Sequence, residues 1–129
     1  MSEATVKLLK LNVTAEATNK LRVLKARTNL TPNILARIGL ALSLEEPGRP
    51  VPETYPTDGM EFNSYTLLGA YSELIAALLK QRVSDDGYES FDSDTMNGQL
   101  RAHVNRGVNL LYPRLKNIED LAELLPKSD

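Results

Sequence analysis

The segment Thr31-Pro32-Asn33, with Ile34, Leu35, Ile38, Leu40, Ala41, Leu42 and Leu44 behind it, constrains this chain more than any other. A hydroxyl cap followed by proline at the first helical position starts a helix cleanly. The apolar residues then run nearly all the way round, so this helix, from Pro32 to about Glu45, is expected to be buried on every side. Upstream, Thr5 to Val13 reads as one strand of β-branched and long apolar residues. Thr14 is placed to cap a helix from Ala15 to Thr28, whose stripe of Ala17, Leu21, Leu24 and Thr28 faces the core. Lys20 and Arg27 flank that stripe on one side, and Arg22 and Lys25 on the other.

The rest of the chain is helical with one interruption. Pro47, Pro50, Pro52 and Pro56 make a linker too rich in proline for helix. A third helix is expected from about Asn63 to Val83, with Tyr65 and Tyr71 at packing positions. An acidic loop with Asp85, Asp86, Glu89, Asp92 and Asp94 follows. A fourth helix spans Thr95 to Tyr112, stopped by Pro113, and a short last one runs from Ile118 to Leu125 behind an Asn117 cap. The expected class is therefore mainly α, with a short N-terminal strand. Its organisation is a ribbon-helix-helix-like part over residues 1–48 and a helical part over 49–129, within one compact domain, as suits 129 residues.

Composition removes several kinds of chemistry. The chain has no cysteine, which excludes disulfides, thiolate nucleophiles and cysteine-ligated metals. It contains no apolar run long enough to span a bilayer and no signal-peptide pattern, so a cytoplasmic location and no membrane partner are expected. The single histidine, His103, has no second ligand at metal spacing and reads as structural. The acidic loop lacks the spaced oxygens of a calcium site and reads as solvated, so neither a metal nor a cofactor is expected. No catalytic residue can be named.

The net charge of −2 conceals an asymmetry. Residues 1–49 carry eight Lys or Arg against four acids, while the remainder carries seven against thirteen. A basic end on an acidic chain can attract a polyanion, because the local field matters rather than the total. A lone strand also needs a partner for its backbone groups. Pairing with the strand of a second copy would give a ribbon-helix-helix dimer whose ribbon enters the DNA major groove; pairing within the chain is the plainer alternative. In the first arrangement Lys10 and Asn12 face base edges. Thr31 and Asn33 offer the start of the second helix to a phosphate, and Lys7, Lys20, Arg22, Lys25, Arg27 and Arg37 contact the backbone. Ala36, Gly39 and Ser43 share one small-residue face that suits either a subunit contact or an internal helix contact.

The stretches Leu30-Thr-Pro-Asn-Ile-Leu-Ala-Arg-Ile-Gly-Leu-Ala-Leu-Ser-Leu-Glu-Glu-Pro-Gly48, Glu61-Phe-Asn-Ser-Tyr-Thr-Leu-Leu-Gly69 and Leu74-Ile-Ala-Ala-Leu-Leu-Lys-Gln-Arg82 together resemble the DndE family. The resemblance implies a part in DNA phosphorothioation beside a cysteine desulfurase, a sulfurtransferase-like protein and an ATPase. It further implies binding of duplex DNA, preferably nicked, through surface lysines, and self-association as a homo-oligomer. A DNA nickase and a ribbon-helix-helix repressor stand as alternatives.

Overall fold

The computed structural model describes residues 10–124, so the expectations for Lys7 and for the first part of the strand lie outside the described residues. Strand β1, Leu11–Asn12, leads into α1, Ala15–Thr28, and α2, Pro32–Glu45. A 3-10 turn at Pro52–Thr54 precedes β2, Glu61–Phe62. Then come α3, Ser64–Leu68, a 3-10 turn at Gly69–Tyr71, α4, Ser72–Asp85, and α5, Ser93–Leu111. A last 3-10 turn at Ile118–Asp120 runs into α6, Leu121–Leu124. The class is mainly α with a short two-stranded sheet near the N-terminus.

The first two helices begin and end where the caps dictate. The Thr14 hydroxyl accepts from the Ala17 amide at 2.9 Å, and the helix ends on Asn29, whose φ of 62° closes it in the left-handed conformation. The Thr31 hydroxyl accepts from the Ile34 amide, with Pro32 at the first position of α2. Ala17, Leu21, Leu24 and Thr28 are all buried, as their spacing predicts.

Strand β1 finds its partner in its own chain. Leu11 pairs with Phe62 and Asn12 with Glu61, antiparallel. Val13 extends the clamp, donating to the Met60 carbonyl at 3.0 Å and accepting from the Gly59 amide at 2.8 Å. The ribbon pairing with a second copy is thus replaced, over the described residues, by residues 59–62. These satisfy the same backbone groups without the loss of freedom that association carries.

Helix α2 also departs from expectation. Leu35, Ala36, Gly39, Leu40 and Ser43 are buried, but Ile34 and Ala41 are exposed and Leu42 and Leu44 half-buried. The small-residue face of Ala36, Gly39 and Ser43 serves an internal contact with α5 rather than a subunit. A Cβ on Gly107 would lie 2.0 Å from the Gly39 carbonyl oxygen, so the two backbones touch at a pair of glycines. That approach makes α5 the most enclosed helix, with Met96, Leu100, Val104, Val108 and Leu111 in the core.

The expected third helix is broken in two. Gly69, at φ 57° and ψ −137°, occupies backbone space that a side chain makes costly. The chain turns there, and α4 starts afresh at Ser72. The turn swings Tyr65 and Tyr71 outward to 58% and 54% exposure, so neither packs in the core as their spacing suggested. Helix α5 starts two residues before the predicted Thr95, because Asp92 accepts from the Thr95 amide at 2.8 Å and so caps it.

Candidate nucleic-acid interface

The flank of α1 that carries Lys20 and Arg27 lies against the C-terminal end of α5. Arg27 Nη1 donates to the Tyr112 carbonyl at 3.5 Å, and its guanidinium sits 4.9 Å from the centre of the Tyr112 ring. The Lys20 ammonium lies 5.5 Å from the same ring and donates to Asn109 Oδ1 at 3.0 Å. A cation over an aromatic face is held electrostatically and remains free to donate outward. The Lys20 ammonium also bonds Glu16 at 2.8 Å, one turn back; the Lys20 side chain is 23% exposed. Two residues past Tyr112 stands Arg114, and then Lys116, both exposed.

The other flank is separate. Arg22 and Lys25 are exposed, with Arg22 Nη1 within 3.4 Å of Asn19 Oδ1. That side of α1 carries Thr18, whose hydroxyl accepts from the Met60 amide at 2.8 Å, so it faces the β2 segment. Lys10, at the edge of β1, is exposed. Asn12 is half-buried and donates its amide to the Gly59 carbonyl at 3.1 Å. The predicted residues therefore fall into two groups, divided by the ridge of α1. Thr31 and half-buried Asn33 stand at the corner between α1 and α2, beside the last turn that carries Lys25 and Arg27.

Arg37 belongs to neither group. Its Nε donates to the Leu67 carbonyl at 2.8 Å and Nη2 to Thr66 at 3.4 Å, with the Tyr71 ring 5.9 Å away. It caps the carbonyls that α3 leaves open where Gly69 ends it. Three other arginines are likewise taken up in binding the proline-rich linker. Arg82 donates to the Leu44 and Gly48 carbonyls, Arg101 to Tyr55 and Pro52, and Arg106 to Gly48, Ser43 and Glu46.

Tyr112 and Asn109, which hold Lys20 and Arg27, and the exposed Arg114 and Lys116 that follow Tyr112 in sequence are what the N-terminal charge count misses. Tyr112 reads as a packing residue from its helical position, and it does pack on the core from a half-buried position. The only sequence signal for its second role is a Tyr-Pro-Arg-Leu-Lys ending, basic on both exposed positions, at a helix stop.

The histidine and three acids of the loop after α4 are used structurally. His103 is fully buried, with Nδ1 at 2.8 Å from Ser43 Oγ. Burial, reinforced by the charges of Arg106 and Arg82, pushes its pKa down to about 3, so it is neutral at physiological pH. The acids of the loop after α4 disperse: Asp85 accepts from Gln81, Asp86 from Arg82, and Asp92 caps α5. The Asp92 carboxyl is held below its ordinary pKa, first by the Thr95 backbone N–H. Among the described residues no three His, Asp or Glu side chains gather as a metal site, and no helix is long and apolar enough to cross a membrane.

Comparison with known proteins gives the family and the fold. A family described as DNA sulphur modification protein DndE matches residues 10–119. The fold is similar to the crystal structure of DndE from Escherichia coli B7A, described as involved in DNA phosphorothioation modification. That likeness has 25% sequence identity and a TM-score of 0.68, covering 83% of this chain and 98% of the other. A DndE mutant with two glycines replaced by lysine, described as involved in DNA phosphorothioation, gives 25% identity and a TM-score of 0.65, covering 81% and 99%. No curated protein sequence matches. With a family match spanning nearly the whole described fold, this chain belongs to the DndE family and takes part in DNA phosphorothioation.

Proposed function

We propose that this protein is a non-catalytic DNA-binding subunit of the phosphorothioation machinery, one that holds the duplex backbone while partner proteins perform the sulfur transfer. The observation that carries this reading is the seating of Lys20 and Arg27 from α1 on the Tyr112 ring at the end of α5, with the exposed Arg114 and Lys116 two and four residues further along the chain. Four cations drawn from distant parts of an acidic chain suit a ladder of phosphates, and the Tyr112 edge suits a sugar or an unstacked base. A nick, which frees the backbone on one strand, would let these cations reach phosphates that an intact duplex holds apart. A cysteine desulfurase, a sulfurtransferase-like protein and an ATPase are the partners expected to do the chemistry.

A gel-shift series with intact, nicked and single-stranded DNA at two salt concentrations tests the reading. Affinity should fall steeply with salt, since each neutralised phosphate releases about one counterion. Arg27→Glu together with Arg114→Glu should weaken nicked-duplex binding by about tenfold or more through lost phosphate contacts. Arg22→Glu with Lys25→Glu reports the other flank. Binding that ignores salt and all four changes would overturn the proposal, and conversion of supercoiled plasmid to open circles by the purified protein would replace it with a nickase.

A further inference from the structure

Two of the three N–H bonds of the Lys20 ammonium are taken within the chain, by a Glu16 carboxylate oxygen at 2.8 Å and by Asn109 Oδ1 at 3.0 Å, and the Tyr112 ring lies against the same group. Its charge is matched before any polyanion arrives. A phosphate can reach the third N–H, yet it then meets the Glu16 carboxylate at the same nitrogen, and two anions on one ammonium repel. One of them has to leave. Asn109 is neutral and Tyr112 packs on the core, so neither competes with the newcomer or gives way to it. Glu16 is free to do so. Its side chain is 71% exposed and holds Lys20 from one turn back along α1, where the carboxylate can turn into water by rotation about its own side-chain bonds.

The placing of Glu16 makes it more than an ordinary surface ion pair. Residues 16, 20 and 27 are four and seven apart, so the acid ends the row in which Lys20 and Arg27 stand on α1. The two cations are held differently: Arg27 donates to the neutral Tyr112 carbonyl and keeps its charge, whereas Lys20 is matched by a carboxylate. A carboxylate oxygen at 2.8 Å from an ammonium is also the kind of contact that a phosphate oxygen makes. Nor does the start of α1 require this acid. The Ala17 amide donates to Thr14 Oγ1 and the Ala15 amide to Asp58 Oδ1, both at 2.9 Å, so a hydroxyl and a second carboxylate already serve the first turn.

We infer that Glu16 is an internal stand-in for a DNA phosphate, holding Lys20 in the free protein and releasing it as the nucleic-acid backbone binds. The inference rests on the DNA-binding reading of the Tyr112 surface and adds a brake to it. The carboxylate leaves the ammonium for water as a phosphate oxygen takes its place, with no covalent bond made or broken, and the exchange sets how tightly this surface holds its ligand.

Fluorescence anisotropy of a labelled nicked duplex at one fixed salt concentration tests it, with the parent, Glu16→Gln, Lys20→Met and the double variant compared. Glu16→Gln should bind about threefold tighter or more, because an exposed ion pair is then absent before binding instead of being broken during it. In the Lys20→Met background the same change should gain much less, since the ammonium that Glu16 guards is gone. Glu89→Gln removes an equal charge from the exposed loop after α4 and should leave affinity near that of the parent. The exposure of Glu16 predicts a circular dichroism melt of Glu16→Gln close to that of the parent. A gain that Glu89→Gln matches, or one that persists undiminished without Lys20, assigns the effect to net charge and overturns the inference. No gain at all, in a protein whose parent binds the duplex, overturns it too and leaves the DNA-binding reading standing. A parent that fails to bind the duplex defeats that reading, and this inference with it.

Discussion

Helix α2 presents two faces of similar apolar character, and they meet opposite fates. Toward α5 the backbones touch at Gly39 and Gly107, Leu40 is buried, and Ser43 is enclosed by His103 and Arg106. Toward α4, Ala41 is exposed, Leu44 half-buried, and Leu78 half open to solvent. Small residues account for the difference. Where both helices lack a side chain they close to backbone contact and exclude water. Where leucines of both stand off from one another, a groove is left that another surface can fill. Hydrophobicity therefore shows how much of a helix seeks cover, and residue size shows which side receives it within the chain.

The strongest way to break that comparison is to spoil the closed face. Gly107→Ala places a methyl group 2.0 Å from the Gly39 carbonyl oxygen and 2.1 Å from its carbonyl carbon. Both are backbone atoms in the middle of helices and cannot swing aside. The helices must part, which opens the core around Leu40, Val104 and Val108. A loss of at least about 3 kcal/mol is expected, at the upper end for overpacking. Urea melts of parent and variant measure it. A difference below about 1 kcal/mol, the size of an ordinary surface change, would show that the contact is looser than these distances imply.

Much of this fold could be read in the chain, and the parts that could not share a cause. The caps at Thr14, Thr31 and Asn117 act through local chemistry, so the starts of α1, α2 and the last turn follow directly from residue type. Helix α5 was visible as a helix but not as the centre of the molecule, because Gln99, His103 and Asn105 lie on its buried side. Each finds its partner far away in sequence: Gln99 donates to Tyr88, His103 meets Ser43, and Asn105 accepts from the Thr14 amide. Periodicity treats polar residues as outward unless a partner is known, and these partners exist only in three dimensions. The candidate site has the same split. Lys20 and Arg27 are one flank of a helix by spacing alone, whereas Tyr112 joins them across 85 residues or more. Gly69 sat inside one expected helix from Asn63 to Val83, and its role as the break between α3 and α4 needed the observed φ.

His103 sharpens the comparison from inside the closed face. Its pKa is about 3 in the fold against 6.5 ordinarily, chiefly through burial and then through Arg106 and Arg82. The protonated form is thus favoured in the unfolded chain. Stability is complete above pH 6.5 and is lost as pH falls toward 3, at up to about 1.4 kcal/mol per unit once the unfolded histidine is charged. Between pH 6.5 and 5, above most carboxylate titration, that amounts to roughly 2 kcal/mol. Chemical denaturation of the parent across this window should show the slope. His103→Gln, which keeps a polar group facing Ser43, should flatten it, and an unchanged slope would assign the pH dependence to other groups.

The smallest effect is expected on the open face, and its smallness is what gives it value. Leu78→Ala removes methyl groups from a side chain that is already half in water. The loss should therefore be under about 1 kcal/mol. Urea melts of this variant beside Gly107→Ala set the two faces of α2 against each other, since the glycine change strains backbone against backbone while the leucine change only trims a side chain that water already reaches. A Leu78→Ala loss as large as that of Gly107→Ala would show that the open face is packed as tightly as the closed one.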